Sequence, residues 1–333
     1  DKISTLLLPK TQSYYEVFID GEKIYERSSE ADPLYEDRYL PRKFKIAIAI
    51  PPSNDVDVFT NDIGLIAIIE NNVLKGFNIA IGGGLATTHG NPNTYSRLGS
   101  IIGFTDTEEK TLKAVYEILT VQRDFGNRVD RKLSRLKYTV DKLTVEGFKK
   151  ELENRIGFQF EPERKYTFTE RSDRFGWEQN HQGKWFYTLF IEHGVVKPEQ
   201  KQFLYELAQQ DISNFIFSGN QNLILGEIEE SNKSKVEALL VQHDIEKQVS
   251  ALRKNSMACV ALPTCPLALA EAQRYLPELV TKIEPILAKY ELSNDEISIR
   301  MTGCPNGCGR PYVAELGFVG TGPEQYNFML GGD

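Results

Sequence analysis

All four cysteines of the chain lie in its last quarter, and their spacing suits a soft metal centre. Five residues separate Cys259 from Cys265, three separate Cys304 from Cys308, and 38 lie between the two pairs. Thiolates are the ligands that zinc and iron–sulfur clusters favour. Four clustered thiols are too few for a disulfide scaffold in a chain of 333 residues, so the spacing favours a metal centre over disulfides or inert thiols.

Two basic stretches indicate that the chain also holds an anion. Lys43 and Lys45 lie in residues 43–50, whose alternation predicts a strand with both cations on one face. The alternative is an edge strand with solvated lysines, because charged side chains commonly protect sheet edges. Residues 123–137 hold six basic and two acidic side chains. A helix there would place four of the cations on one face, although a solvated face is equally compatible. These four are Arg128, Arg131, Lys132 and Arg135.

Two further features have simple interpretations. The three glycines at residues 82–84 could present backbone N–H groups to an anion, but a tight turn explains them as well. His181, His193 and His243 have no metal-like spacing, so we interpret them as surface residues.

The composition is that of an ordinary globular protein. The formal net charge of −8 argues against a general nucleic-acid or membrane-surface binder. The sequence has no apolar run near the roughly 20 residues that cross a bilayer and no visible signal peptide.

Periodicity predicts alternating strands and helices. Predicted strands cover residues 43–50, 63–70, 76–81, 185–191, 214–217, 223–225 and 297–301, and predicted helices cover residues 107–123, 141–156, 199–210, 233–243 and 266–290. The middle group follows the order of a small α+β half-module.

An internal repeat organises these elements. Residues 44–84 and 297–332 share the order strand, turn, two strands and glycines, and residues 62–66 resemble residues 315–319. The second cysteine pair replaces the turn of the first copy, so we expect it to oppose the basic strand across a pseudo-twofold axis. The first copy continues past its glycines and the second ends at them, so we expect the native protein to extend beyond both ends.

The predicted fold is α+β, with duplicated mixed-sheet modules and a half-module between them. We place the first module at residues 1–172, the half-module at residues 173–248 and the second module at residues 249–333.

Several of these stretches resemble the siroheme-dependent sulfite and nitrite reductases. The similar stretches are residues 39–45, 82–84, 124–128, 220–222, 255–259, 264–268 and 302–310. Within the family, the sequence is most similar to the hemoprotein subunits of NADPH-dependent sulfite reductases. The resemblance implies nitrite/sulfite reductase modules and a ferredoxin-like half-module.

The resemblance also implies the cofactors and the reaction. Siroheme would be bridged to a 4Fe-4S cluster, with Cys259, Cys265 and Cys304 binding the cluster and Cys308 binding both. The implied activity is the six-electron reduction of sulfite to sulfide in sulfate assimilation and cysteine biosynthesis. The family is cytoplasmic, and a flavoprotein subunit carrying FAD and FMN supplies its electrons from NADPH.

The remaining site residues follow from the same resemblance. Lys43 and Lys45 are the expected catalytic residues, because sulfite needs proton donors and positive charge. The expected siroheme-binding residues are Arg42, Arg128, Lys132, Arg135, Gln221, Asn306 and Cys308.

Two other functions stay open. A ferredoxin-dependent nitrite or sulfite reductase would carry similar motifs, although the paired lysines and residues 255–259 favour sulfite. A non-catalytic zinc-binding module would also use four thiolates, but the long spacings fit zinc ribbons poorly. We also expect the isolated chain to retain siroheme poorly.

Overall fold

The computed structural model describes residues 1–10, 16–26, 31–245 and 249–332. These residues form two compact units. The first comprises Asp1–Pro52, Asp57–Gly84 and Asn93–Thr169, and the second comprises Ser53–Val56, Leu85–Pro92 and Glu170–Asp333.

The first unit is a mixed sheet covered by helices. Its elements are α1 Lys2–Leu7, β1 Glu16–Ile19, β2 Glu22–Glu26, β3 Ile46–Ala49, β4 Ile63–Glu70, β5 Val73–Ile81, β6 Ser100–Thr105, α2 Glu108–Phe125, α3 Leu136–Leu143 and α4 Val145–Ile156. The main sheet has the order β3-β4-β5-β6, in which β3 is parallel to β4 and the other pairs are antiparallel. β1 and β2 form a separate hairpin.

The core of the first unit lies between the sheet and α2, α3 and α4. Ile63, Leu65 and Ile79 from the sheet pack with apolar residues of these helices. Thr107 begins α2 by accepting the N–H of Lys110 at 3.2 Å, as expected of a helix cap. The predicted strand at residues 63–70 and the long helix α2 are therefore confirmed.

Three predictions for this unit were wrong in detail. The strand predicted at residues 43–50 covers only Ile46–Ala49, and the N–H of Lys45 before it donates to the side chain of Asp62 at 2.8 Å instead of to a strand. Residues 126–130 are not helical, so the four cations between Arg128 and Arg135 do not share a helix face. The helix predicted at residues 141–156 is interrupted at Thr144, whose φ is 65°.

The second unit contains the half-module and the cysteine-bearing sheet. Its elements are β7 Gly176–Gln179, β8 Trp185–Leu189, α5 Pro198–Gln210, β9 Asn214–Phe217, β10 Leu223–Ile228, α6 Glu230–Gln242, α7 Ala251–Lys254, β11 Ser256–Ala258, α8 Leu276–Lys289, β12 Ile299–Thr302, β13 Leu316–Gly322 and β14 Gln325–Leu330. The half-module sheet has the order β7-β8-β10-β9, and its pairs are all antiparallel. The predicted half-module is confirmed, with β7 as an additional strand.

The cysteine-bearing sheet has the order β11-β12-β13-β14. β12 is parallel to β11 and β13, whereas β13 and β14 are antiparallel. The three-strand pattern β12-β13-β14 is the same as β3-β4-β5, which confirms the predicted duplication. α8 covers this sheet through a core that includes Leu276 and Val280.

Two predictions for the second unit were wrong. The helix predicted from residue 266 begins at Leu276, because Leu269 and Ala270 donate their N–H groups to Gly303 instead of to a helix ladder. His193 is not on the surface, because only 3% of it is exposed.

Candidate functional site

The two cysteine loops are joined by hydrogen bonds at Gly303. Its carbonyl accepts the N–H groups of Leu269 at 2.7 Å and Ala270 at 3.0 Å, just beyond Cys265 in the chain. Its own N–H donates to Cys259 Sγ at 3.3 Å. Cys259 and the segment that follows Cys265 are therefore both held against Gly303, the residue directly before Cys304.

Close packing keeps the two loops together. A Cβ atom at Gly303 would lie 2.6 Å from the carbonyl oxygen of Ala270 and 2.7 Å from the Cβ of Ala261. A Cβ at Gly309 would lie 2.4 Å from the carbonyl oxygen of Met301. Only glycine fits at these two positions, which explains the glycines that flank the second cysteine pair.

The four thiols are free but differ in exposure. Cys304 is buried, Cys308 is exposed, and Cys259 and Cys265 are half-buried. Burial raises the pKa of Cys304, and its neighbours Cys308 and Cys259 raise it further. Cys304 is therefore close to a thiol of each cysteine loop.

The spacing of the thiols differs from that of a single-ion site. Zinc holds thiolates at about 2.3 Å in a tetrahedron, which brings the sulfurs within about 4 Å of one another. Across residues 1–10, 16–26, 31–245 and 249–332, no three His, Cys, Asp or Glu side chains are grouped closely enough to hold one metal ion. A cluster binds each thiolate through a different iron, so this arrangement is compatible with a cluster.

The turn between Cys304 and Cys308 is fixed by the carbonyl of Pro305. This oxygen accepts hydrogen bonds from Thr87 N at 3.0 Å, Thr87 Oγ1 at 3.2 Å and Tyr312 Oη at 3.0 Å. Asn306, which was predicted to bind siroheme, lies against Cys304, and its backbone and side-chain hydrogen bonds offset part of the rise in the pKa of that thiol.

Gln221 approaches the first cysteine loop from the half-module. Its Nε2 donates to the carbonyl of Ala258 at 2.8 Å, and Ala258 directly precedes Cys259. No described residue donates a hydrogen bond to its buried Oε1. Gln221 is therefore placed beside the first cysteine loop, with an acceptor that none of the described groups uses.

A group of cations lies in the first unit. Burial lowers the pKa of Arg42, and the nearby charges of Arg131 and Arg135 lower it further. Arg135 is itself buried and binds Asp62 through two hydrogen bonds, of 3.1 and 2.8 Å. Arg42 and Arg135, both predicted to bind siroheme, are therefore close enough to repel each other.

The other predicted cations have different environments. Arg128 donates to the carbonyls of Arg38, Tyr39 and Arg123, so its guanidinium supports the chain that leads to Arg42. The remaining three are exposed. They are Lys43, Lys45 and Lys132.

The glycines at residues 82–84 use their backbone donors within the first unit. Gly82, Gly83 and Gly84 donate their N–H groups to the carbonyls of Asp62, Asn61 and Arg97. These acceptors are distant in sequence and Gly84 forms an isolated bridge with Arg97, so the segment is extended and the interpretation as a tight turn was wrong.

Two buried polar residues, Lys137 and His193, were not predicted from the sequence as buried groups. Lys137 is buried and donates to the carbonyl of Gly84 at 3.1 Å, and burial followed by Arg135 lowers its pKa to about 8. The two buried ring nitrogens of His193 have no hydrogen-bond partner within the part of the chain that the structure describes, and burial lowers the pKa of this residue to about 4. The basic composition of residues 123–137 was the only signal for Lys137.

Comparison with known proteins places this arrangement in a family. Residues 1–160 match the nitrite and sulphite reductase 4Fe-4S domain, and residues 178–243 match the nitrite/sulfite reductase ferredoxin-like half domain. The chain belongs to the nitrite and sulphite reductase family. The first match covers the copy without cysteines, in agreement with a duplicated module.

Similar proteins are known from bacteria. The chain is 58% identical to the sulfite reductase (NADPH) hemoprotein beta-component of Leptospira biflexa, over 100% of this chain and 61% of that protein. It is 48% identical to the protein of the same name from Staphylococcus haemolyticus, over 99% of this chain and 59% of that protein. The chain thus spans about three fifths of the length of these relatives.

A solved structure shows a similar fold. The Mycobacterium tuberculosis NirA protein superposes with a TM-score of 0.72 and 25% identity, over 85% of this chain and 51% of that one. Among the described residues, no helix is both long and apolar enough to cross a membrane.

Proposed function

We propose that this chain carries the catalytic centre of the hemoprotein component of an assimilatory sulfite reductase, which reduces sulfite to sulfide with six electrons. One observation carries the proposal. In a member of this family, the loops that contain Cys259 and Cys265 and that contain Cys304 and Cys308 are joined by hydrogen bonds, and all four thiols are free. The names of the relatives from Leptospira biflexa and Staphylococcus haemolyticus support sulfite as the substrate.

The donor set fits a 4Fe-4S cluster. Cys259, Cys265 and Cys304 would bind the cluster, and Cys308 would bind both the cluster and the siroheme iron. Cys308 is exposed, as a thiolate shared with a second cofactor must be. Together, the cluster and siroheme would store electrons and deliver them to sulfite, while the protein sets their position and electrostatic surroundings.

The cations of the first unit fit a polycarboxylate such as siroheme. Arg42 and Arg135 lie close together with Arg131, at a cost in mutual repulsion that bound carboxylates would relieve. We propose these cations, with Lys132, Gln221 and Asn306, as the siroheme-binding set. Arg128 would contribute by supporting residues 38–39, since its guanidinium donates to their carbonyls.

Lys43 and Lys45 are the proposed catalytic residues. Both ammonium groups are on exposed side chains, where they can attract an anion and give up protons. The backbone of Lys45 is held by Asp62, so its position is set by a buried residue. Removal of oxygen from sulfite as water needs such protons.

The proposal implies a partner and a compartment. A flavoprotein subunit with FAD and FMN would pass electrons from NADPH, and the assimilatory role is cytoplasmic. Neither nucleic acid nor a membrane is needed for this reaction.

Iron and sulfide analysis tests the proposed cluster. After anaerobic incubation with iron and sulfide, we expect the chain to hold iron and acid-labile sulfide in equal amounts, with Cys265→Ser abolishing uptake. Stoichiometric zinc without sulfide would instead identify a zinc module. For the substrate, rates on sulfite and nitrite with the complete protein distinguish the two reductases, and a strong preference for nitrite would contradict our proposal.

A further inference from the structure

A buried carboxylate in the half-module organises the loop that contains Gln221. Asp173 is 9% exposed and accepts hydrogen bonds from Ser218 Oγ, Asn220 Nδ2 at 3.1 Å and Asn222 Nδ2 at 2.8 Å. One oxygen accepts from Ser218 and Asn222, and the other accepts from Asn220. The carboxylate therefore fixes three side chains of one short loop.

The loop is also tied to its own backbone. Ser218 Oγ accepts the N–H groups of Asn220 at 3.2 Å and Asn222 at 3.1 Å. Asn222 Oδ1 accepts the N–H of Ile191 at 2.9 Å. These bonds hold Gln221 at a φ of 72°, which is uncommon for a residue other than glycine.

One arm of this network reaches the second cysteine pair. Asn220 donates to Asp173, and its Oδ1 accepts from Arg310 Nη2 at 2.6 Å. The same guanidinium donates to the carbonyl of Gly219 at 2.7 Å. Arg310 lies two residues beyond Cys308, so the network ends at the turn that carries this thiol.

The other arm reaches the first cysteine pair. Gln221 Nε2 donates to the carbonyl of Ala258, directly before Cys259. Arg310 Nη2 also lies 3.5 Å from Met257 Sδ on the same strand. The loop of residues 218–222 thus contacts the carbonyl of Ala258, directly before Cys259, and the side chain of Arg310, two residues after Cys308.

We propose that Asp173, Asn220 and Arg310 are positioning residues that set the separation of the two cysteine loops. The order carboxylate, amide, guanidinium is directional, because the amide of Asn220 must donate to Asp173 and accept from Arg310. The importance of this separation for a cluster rests on the proposed function. The separation itself is a property of the chain and can be measured without a cofactor.

The test uses disulfide formation in the metal-free chain. Diamide oxidises thiols pairwise, and peptide mass spectrometry gives the ratio of cross-loop Cys259–Cys304 disulfides to Cys304–Cys308 disulfides within one turn. We expect Asp173→Asn and Arg310→Lys to lower this ratio about fivefold, the factor for one lost hydrogen bond of about 1 kcal/mol. Arg310 binds Asn220 and Gly219 through Nη2 and the carbonyl of Asp55 through Nη1 at 3.3 Å, and a lysine has only one nitrogen with which to replace both.

A charge-neutral exchange provides the decisive variant. In the double variant Asp173→Asn with Asn220→Asp, the new amide can donate to the new carboxylate, which still accepts from Arg310. We expect the disulfide ratio to return to that of the unmodified chain, as in a double-mutant cycle. Loss of packing or of net charge alone would not produce this recovery.

The control is Arg253→Lys, because Arg253 is also held by carboxylates in the second unit, Glu192 and Glu284. Fluorescence of Trp177 and Trp185, both in the half-module, verifies that each variant is folded. An unchanged ratio in folded Arg310→Lys, or an equal loss in Arg253→Lys, would overturn the proposal. If Asp173→Asn does not fold, Arg310→Lys decides alone.

Cluster retention gives a second readout. In chains loaded with iron and sulfide, we expect the Asp173 and Arg310 variants to lose iron to a chelator about tenfold faster, the lower end of the range for lost outer-shell partners. If the unmodified chain takes up no cluster, the proposed function fails, while the disulfide ratio still tests the positioning role.

Discussion

The sheets β3-β4-β5-β6 and β11-β12-β13-β14 contain the same three-strand arrangement. In each, a short strand runs parallel to a longer strand, which then forms an antiparallel hairpin. Ile46 pairs with Ile63 in the first copy, and Ile299 pairs with Leu316 in the second, with the same separation in sequence. The fourth strand differs, because β6 extends the first copy beside its hairpin and β11 extends the second at the opposite edge.

Each copy anchors this arrangement with an acidic residue. Asp62 accepts the N–H of Lys45 at 2.8 Å, and Glu315 accepts the N–H of Ser298 at 2.9 Å. The carbonyls of the same two acids accept the N–H groups of Gly82 and Gly331 at the ends of the hairpins. The scaffold is therefore shared down to single hydrogen bonds.

The copies differ in what this scaffold carries. Pro51 and Asp55 of the first copy correspond in sequence to Cys304 and Cys308 of the second. Asp62 is fully buried against Arg135, in a group that contains Arg42, whereas Glu315 is half-exposed. The first copy thus lies beside cations, and the second copy carries thiols. Because Pro51 and Asp55 occupy the positions of Cys304 and Cys308, the residues of the turn differ between copies whose strands are the same.

Substitution of the two anchoring carboxylates, Asp62 and Glu315, is expected to show the largest difference in stability between the two copies. Asp62→Asn leaves the guanidinium of Arg135 buried beside an amide, and we expect a loss of about 3–5 kcal/mol in the free energy of unfolding. Glu315→Gln removes a charge that is partly solvated and should cost about 1 kcal/mol or less. Urea unfolding followed by circular dichroism measures both, and equal losses would show that the anchors are equivalent.

The glycines that follow the hairpins offer a smaller contrast. A Cβ at Gly83 would lie 2.1 Å from the carbonyl oxygen of Phe59, whereas one at Gly332 would lie 2.6 Å from that of Ala314. We expect Gly83→Ala to cost about 3 kcal/mol and Gly332→Ala about 1 kcal/mol, since backbone must move in both cases. Gly99→Ala is the control, because its nearest contact, at 3.4 Å, is ordinary. A larger cost at Gly332 would reverse the order.

The sequence predicted these shared features because they are local. Alternation located β4 at Ile63–Glu70, and the similarity of residues 62–66 to residues 315–319 revealed the duplication. Four cysteines and the motifs around them were sufficient to suggest the cofactor class. The roles of the individual ligands stay predictions.

The misplaced features depend on contacts between distant parts of the chain. The partner of Arg135 is Asp62, 73 residues earlier, so periodicity alone placed Arg135 on an exposed helix face. Residues 266–275 have helical periodicity, but the carbonyl of Gly303 takes the N–H groups of Leu269 and Ala270. His193 follows a predicted strand and precedes a glycine, and nothing in that pattern indicates that its ring is buried.

The buried ring of His193 predicts a difference in acid stability between the units. Burial lowers the pKa of His193 from 6.5 to about 4, so the unfolded chain binds a proton in this window and the folded chain does not. Stability of the second unit should therefore fall as the pH drops from about 6.5 towards 4, by about 2 kcal/mol at pH 5. Tryptophan fluorescence during urea unfolding reports this unit, because Trp177 and Trp185 both lie in it.

Two substitutions test the assignment to His193. His193→Asn should flatten the dependence on pH between 6.5 and 4, whatever it does to stability at neutral pH. His181→Asn changes an exposed histidine of the same unit and should leave the dependence intact. An unaltered slope in His193→Asn would assign the acid sensitivity to another group.

The smallest expected effect on stability concerns the cysteines themselves. If the second turn is the first turn with ligands added, the metal-free fold should not depend on the thiols. Cys308→Ala changes an exposed side chain and should shift the free energy of unfolding by about 0.5 kcal/mol or less. Cys304→Ala changes a buried side chain and should cost about 1 kcal/mol. Both variants should nevertheless lose uptake of iron and sulfide, and a cost of several kcal/mol for Cys308→Ala would mean that this turn has a structural role that the Pro51 turn does not share.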